Sequence, residues 1–160
     1  MNRLGAPKRW LYRGDRPHGL ASVANRVQAV AASAGLPPRR LVTLEVRGRR
    51  TGRLLSFPVV VADYLGERYL VAMLGENANW IRNVRAAKGR VVLRHGRREA
   101  VRLEEVDASA RAPILQRYLQ VAPGARPHIR LDPRAPLVEF ERIAAQYPVF
   151  RVLADSVQPE

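Results

Sequence analysis

The sequence predicts an α+β fold in which an antiparallel sheet curls into a barrel. Three observations lead there. Between Leu41 and Leu74, three β-rich apolar runs follow one another across two short turn sequences, GRRTG and DYLGE, which implies hairpins. Two further runs, within RVVLRHGRREAVRLEEV, fold about His95-Gly96, and a last run, PVFRVLA, lies near the chain end. Helical stretches are inserted between hairpins and do not alternate with single strands, which separates α+β from α/β. The expected architecture is about six strands with peripheral helices.

Taken in order, residues 1–16 (MNRLGAPKRWLYRGDR) form a basic arm whose Gly5, Pro7 and Gly14 interrupt any periodic pattern. Residues 17–160 are expected to form one domain, since no repeat, low-complexity tract or linker divides them. Leu20, Val23, Val27 and Val30 recur at helical spacing and predict a helix over Leu20 to Ala34, ended by Gly35 and Pro37-Pro38. LVTLEV, LLSFPVVVA (Leu54 to Ala62) and RYLVAML (Arg68 to Leu74) then read as a three-stranded meander. Pro58 lies in the middle of the second run, where it removes a ladder hydrogen bond, so it marks an edge, a bulge or a place where the backbone opens toward a ligand. A short helix follows, with Asn77 or Asn79 as N-cap and Trp80, Ile81, Val84 and Ala87 as its apolar stripe, closed by Gly89. Asp107 is placed to cap the next helix, whose buried face is Ile114, Leu115, Tyr118 and Leu119. A connection containing Pro123, Pro127, Pro133 and Pro136 leads to a helix from Leu137 to Gln146 and the final strand.

Composition narrows the function. Of 160 residues, 47% are hydrophobic and 26% charged, which fits a packed core and excludes a disordered chain. The absence of cysteine removes disulfides, thiolate nucleophiles and Cys-based zinc sites. No apolar run approaches the roughly 18–20 residues of a membrane span, so a cytoplasmic protein is expected. Lys+Arg number 28 against 14 Asp+Glu, a formal charge of +14. Only Lys8 and Lys88 are lysines. That excess predicts an anionic partner: nucleic acid, phospholipid, or a phosphorylated or carboxylated ligand. Arginines dispersed over nearly every element, and the lack of any RNA-recognition or helix-turn-helix motif, argue against nucleic acid.

The inventory for catalysis is nearly empty. There is no G-x-S-x-G elbow, S-x-x-K, Walker lysine or G-x-G-x-x-G, and His18, His95 and His128 form no metal-ligand pair. No metal site is expected. An enzyme with this inventory would rely on a bound cofactor for its reactive atom.

Two stretches carry information. Arg47-Gly48-Arg49-Arg50-Thr51-Gly52-Arg53 places four arginines, two glycines and a hydroxyl in one hairpin loop, the composition of an anion-binding concavity. Leu74-Gly75-Glu76-Asn77-Ala78-Asn79-Trp80 passes from strand into helix, where backbone N–H groups suit polar ligand atoms. Trp80 there is either the wall of a planar ring or a core tryptophan.

The ordered combination of Gly48-Arg49-Arg50-Thr51-Gly52, Pro58, Gly66, Val71-Ala72, Asn77-Ala78-Asn79-Trp80 and Asn83-Val84-Arg85-Ala86 resembles the deazaflavin-dependent nitroreductase family. The resemblance spans Leu41 to Val106 well and the C-terminal third loosely. It implies a split β-barrel and coenzyme F420, a hydride-carrying deazaflavin with a phosphodiester and oligoglutamate tail. By this resemblance Arg49, Arg50 and Thr51 would bind the phosphate end. Arg53 would stand in for a cation that many relatives carry where this chain has Leu54-Leu55. Ser56, Pro58 and Val59 would flank the ring system, backbone groups of Met73, Leu74 and Gly75 would bond its pyrimidine-like edge, and Asn79 and Trp80 would close that side. The chain lacks the serine and the C-terminal tyrosines that nitroimidazole-reducing relatives carry near the substrate.

The expected function is therefore hydride transfer from reduced F420 to an electron-poor small molecule such as a quinone, an activated alkene or a nitroaromatic. The alternatives are FMN in the same barrel, or a cofactor- or nucleic-acid-binding protein without turnover. The arm and the segment from Val121 to Leu137 would bound the substrate, with His128 as proton source and Arg126 as the group holding developing negative charge. Lys8 to Tyr12 could touch a membrane surface weakly. Monomer and dimer both remain open.

Overall fold

The computed structural model describes residues 40–155. The basic arm, the Leu20–Ala34 helix and the Lys8–Tyr12 stretch lie outside the described residues. Seven strands form one sheet: β1 (Leu41–Arg47), β2 (Leu54–Val60), β3 (Ala62–Tyr64), β4 (Glu67–Val71), β5 (Arg90–His95), β6 (Arg97–Glu105) and β7 (Val149–Ala154). Among the described residues, three α-helices accompany them: α1 (Asn79–Ala86), α2 (Ala112–Val121) and α3 (Leu137–Ile143).

The sheet order is β2-β1-β5-β6-β7-β4-β3, and every pairing is antiparallel. Its two edge strands, β2 and β3, are consecutive in the chain with only Val61 between them. One residue cannot span an open seven-stranded sheet, so the sheet must curl until its edges meet. The fold is an α+β split barrel.

That crossing also explains the strand count. The apolar run from Leu54 to Ala62 reads as one strand, but it changes partner at Val61: the Val61 N–H still donates to the Arg40 carbonyl (2.7 Å), in register with the β1–β2 ladder, and β3 begins at the next residue. The run pairs with β1 up to that point, and β3 pairs with β4 after it. The simple three-stranded meander is thereby corrected. Pro58 sits opposite Thr43 on edge strand β2, where its missing N–H leaves no central ladder position empty.

Inward-facing residues alternate along each strand and fill the barrel with Leu44, Val46, Phe57, Leu70, Val101 and Phe150, onto which α1 delivers Trp80, Ile81 and Val84. A second core lies outside the barrel. There Val60, Ala62 and Val71 meet Leu115 and Leu119 of α2, Phe140 of α3 and Ile129 of the connecting segment.

Helix ends depart from the sequence reading. α1 begins after Ala78 and has no side-chain cap from Asn77 or Asn79. A backbone turn does the work, with Ala78 N–H donating to Gly75 and Ile81 N–H to Ala78. Ala87 terminates α1 instead of joining its stripe, and Asn83 is buried in the helix. Asp107 precedes a short 3-10 turn (Ala108–Ala110) and accepts a hydrogen bond from the Ser109 hydroxyl, while α2 starts later, with Pro113 in its first turn. The last helix is α-helical only to Ile143 and tightens to 3-10 through Gln146.

Candidate functional site

The antiparallel registers bring the C-terminal ends of β1, β4 and β6 to one end of the barrel, with the starts of β2, β5 and β7. The Arg47–Arg53 loop and the Leu74–Trp80 stretch both leave from that end. An arginine-rich hairpin loop and the turn that leads into α1 are thus neighbours by topology.

The loop is closed on itself. Gly48 N–H donates to the Arg53 carbonyl (2.8 Å), and Gly52 N–H donates to the Gly48 carbonyl (2.8 Å). Gly52 lies at φ +67, a backbone region that a side chain would strain. The Thr51 hydroxyl oxygen accepts from Arg53 N–H (3.3 Å), and Arg47 donates to the Gly52 carbonyl (3.1 Å). Arg49 is anchored from outside: its backbone N–H (3.1 Å) and its Nη1 (2.9 Å) both donate to Oδ1 of Asn83. Asn83 is 3% exposed, so this contact is largely shielded from water.

A second link joins β2 to α1. Trp80 is 8% exposed and stands between Phe57 (centroids 6.0 Å apart) and Phe150 (5.7 Å). It is a core tryptophan that fixes α1 on the barrel. Asn79 beside it is half-buried at the helix start. Of the β2 residues, Ser56 and Pro58 alternate with inward-facing Phe57 and so face outward, while Val59 packs against the barrel interior. The strand therefore does not bring all three to one face. Met73 packs into the second core, Leu74 is exposed, and Gly75 turns the chain at φ +84.

Ion pairs are spread over the barrel. Glu45 pairs with Arg94 and Arg98, Asp63 with Arg40 and Arg117, Glu99 with Arg68, and Glu104 with Arg151. Arg85 takes both Glu76 and Glu105. Among the described residues, no ion pair involves Arg47, Arg49 or Arg53 of the loop, nor Arg90 and Arg102, which stand opposite each other on β5 and β6. Directly opposed like charges are unfavourable without an anion between or beside them. The paired carboxylates respond as expected: hydrogen bonds from Arg40, Arg85 and Arg68 hold Asp63, Glu76 and Glu99 below their ordinary values.

Arg126 and His128 belong to the segment between α2 and α3. Arg126 Nε donates to the Leu119 carbonyl at the end of α2 (3.3 Å), and the His128 carbonyl accepts from the Tyr147 hydroxyl (3.1 Å). The Val121–Leu137 segment is more structured than its prolines suggest, with a 3-10 turn at Pro123–Ala125 and Ile129 fully buried.

Two buried polar residues receive no role from the sequence reading, although Asn83 stands in its Asn83-Val84-Arg85-Ala86 motif. Asn83 is a polar residue set among the buried Trp80, Ile81 and Val84, and that position was its readable signal. Arg111 is 7% exposed and donates to the carbonyls of Val106 (2.8 Å) and Ala144 (3.2 Å). Nothing in the local sequence marks it.

No described helix is long and apolar enough to cross a membrane. No curated protein matches the chain. Among solved structures, a protein of unknown function from Agrobacterium tumefaciens is similar at 14% identity and TM-score 0.53, over 74% of this chain and 50% of that one. An F420-H2 dependent reductase (FDR-A) is similar at 20% identity and TM-score 0.44, over 71% of this chain and 94% of that one. A general-stress-protein relative of the pyridoxinephosphate oxidase family from Clostridium acetobutylicum is similar at 11% identity and TM-score 0.49, covering 80% and 84%. The model of the F420H(2)-dependent quinone reductase family matches residues 21–136. That match covers most of the chain and places this protein in the F420H(2)-dependent quinone reductase family of oxidoreductases.

Proposed function

We propose that this chain carries hydride from reduced coenzyme F420 to a quinone-type acceptor, with activated alkenes and nitroaromatics as further acceptors of the same electron-poor class. The observation that supports this most is the closed Arg47–Arg53 loop, whose arginines 47, 49 and 53 have no carboxylate partner among the described residues and which is anchored to α1 at the end of the barrel where the Gly75 turn also lies. Guanidinium groups and backbone N–H groups are donors only, so the set fits phosphate and carboxylate oxygens and suits the anionic tail of F420.

In this reading Arg49, Arg50, Thr51 and Arg53 hold the phosphate end. Ser56 and Pro58 flank the ring, with Val59 behind them. The backbone of Met73, Leu74 and Gly75 meets its polar edge, and Asn79 and Trp80 fix the helix that closes that side. When bound, the deazaflavin supplies the hydride. The chain supplies orientation and, through His128 and Arg126, a proton and a cation for the reduced acceptor.

The test is turnover. Purified protein mixed with reduced F420 and a soluble benzoquinone should restore the absorbance of oxidised F420 at a rate that saturates with both. A rate equal to the protein-free control, across quinone, nitroaromatic and enone acceptors, would contradict the proposal.

A further inference from the structure

The turn that begins α1 is held by an ion network that the proposed site does not use. Arg85, on the last turn of α1, donates to both oxygens of Glu76 (2.9 and 3.2 Å) and to both oxygens of Glu105 at the end of β6 (2.6 and 3.4 Å). Glu105 also lies 3.7 Å from Arg111, whose guanidinium donates to the carbonyls of Val106, Ala144 and Tyr147. Two arginines and two glutamates thus connect the Gly75-Glu76 turn to β6 and to the Ala144–Gln146 turn.

Gly75 sits where these connections converge. Its N–H donates to the Ala72 carbonyl (2.9 Å), and Ala72 N–H in turn donates to the Pro148 carbonyl (2.9 Å). A Cβ at Gly75 would lie 3.2 Å from the Gln146 carbonyl oxygen, so the turn is pressed against the segment that Arg111 fastens. One side of the turn is fixed by backbone packing. Its other side, at Glu76, is fixed by Arg85.

Exposed ion pairs contribute little to global stability, so a four-membered network here acts mainly on local geometry. We infer that Arg85 is a positioning residue for the cofactor: by clamping Glu76 to Glu105 it sets the angle of the Met73–Gly75 backbone toward the ring edge. This rests on the proposed F420 reading. It assigns to Arg85 a role in affinity, separate from hydride transfer.

Arg68 provides a matched control. It makes the same two-pronged bond to Glu99, with side chains 44% and 47% exposed, against 41% and 48% for Arg85 and Glu76. It lies toward the far end of the barrel, beside the β3–β4 turn. Arg85→Met should raise KM for reduced F420 about fivefold, the scale of one well-formed exposed pair, with kcat within about twofold of wild type. Arg85→Lys should recover part of that loss, and Arg68→Met should leave KM unchanged. Glu76→Gln, which spares the Arg85–Glu105 pair, should reproduce the KM effect even if Arg85→Met folds poorly. Hydrogen exchange without cofactor should show faster exchange at Gly75 and Ala78 in Arg85→Met and Glu76→Gln only. Equal KM in the Arg85, Glu76 and Arg68 variants would overturn the inference, as would a rise in KM accompanied by a matching fall in kcat and in melting temperature. A wild-type protein that binds no F420 would overturn the proposed function instead.

Discussion

Asn83 accepts two hydrogen bonds from Arg49, one from its backbone and one from its guanidinium, through a single buried oxygen. The bond joins the tip of the β1–β2 hairpin to the middle of α1, positions 34 residues apart. It ties the basic turn to the helix, so that on the proposed function an anion binding there would leave less ordering to do.

Asn83→Leu keeps the volume and removes the acceptor. Arg49 can turn its guanidinium to water, so stability should fall by only about 1 kcal/mol. Cofactor affinity should fall more, by about tenfold, because the loop must then be ordered on binding. Chemical denaturation and fluorescence titration of the same variant check the two numbers. A stability loss with unchanged affinity would make Asn83 a core residue and nothing more.

Arg50→Ala should weaken cofactor binding by about 1.5–3 kcal/mol, the scale of a lost charge-assisted hydrogen bond. The penalty should shrink when the phosphodiester and glutamates are trimmed from the cofactor. Calorimetry with full-length and truncated F420 measures both, and equal penalties would remove Arg50 from the tail site.

Acid should loosen the fold through its paired carboxylates. Asp63, Glu76 and Glu99 are held below their ordinary values by arginine hydrogen bonds. Depressed carboxylates contribute stability that is present above their unfolded values, about 4. That contribution disappears as pH falls through the lower, folded values. Melting temperature should therefore be nearly flat from neutral pH to about 5 and decline below about 4. Arg68→Met should flatten part of that decline by removing the Glu99 contribution.

Leu65 occupies the β3–β4 turn at φ +49, followed by Gly66 at φ +79, and is 84% exposed. A γ-branched side chain gains nothing there and resists the left-handed backbone. Leu65→Asn should raise stability by roughly 0.5–1 kcal/mol without altering turnover. A thermal melt decides it, and a destabilised variant would show that Leu65 makes contacts its exposure conceals.

The sheet was largely legible because its signals are local: alternating apolar runs, short polar turns and a His95-Gly96 hairpin. β3 was not, since Val61 is as apolar as its neighbours and nothing in the run marks where the chain passes from one sheet edge to the other. Helix caps were misread at Asn77, Asn79 and Asp107 because a backbone turn at Gly75–Ala78 and a 3-10 turn at Ala108–Ala110 satisfied those ends first. The arginine loop was legible from composition. Its anchor was not, because Arg49 and Asn83 meet only through tertiary packing. Glu45 shows the same limit: it is 4% exposed with Arg94 and Arg98 paired to it, contacts that exist only once β1, β5 and β6 are side by side.

The most direct test of the account is competitive binding to the wild-type chain, with F420, FMN and a nicotinamide nucleotide titrated separately and then against one another. The arginine loop and the family match predict tight F420 binding, weakened by salt as exposed arginine contacts are screened, and no displacement by FMN at equal concentration. Micromolar or tighter FMN binding with no detectable binding of F420 would contradict it.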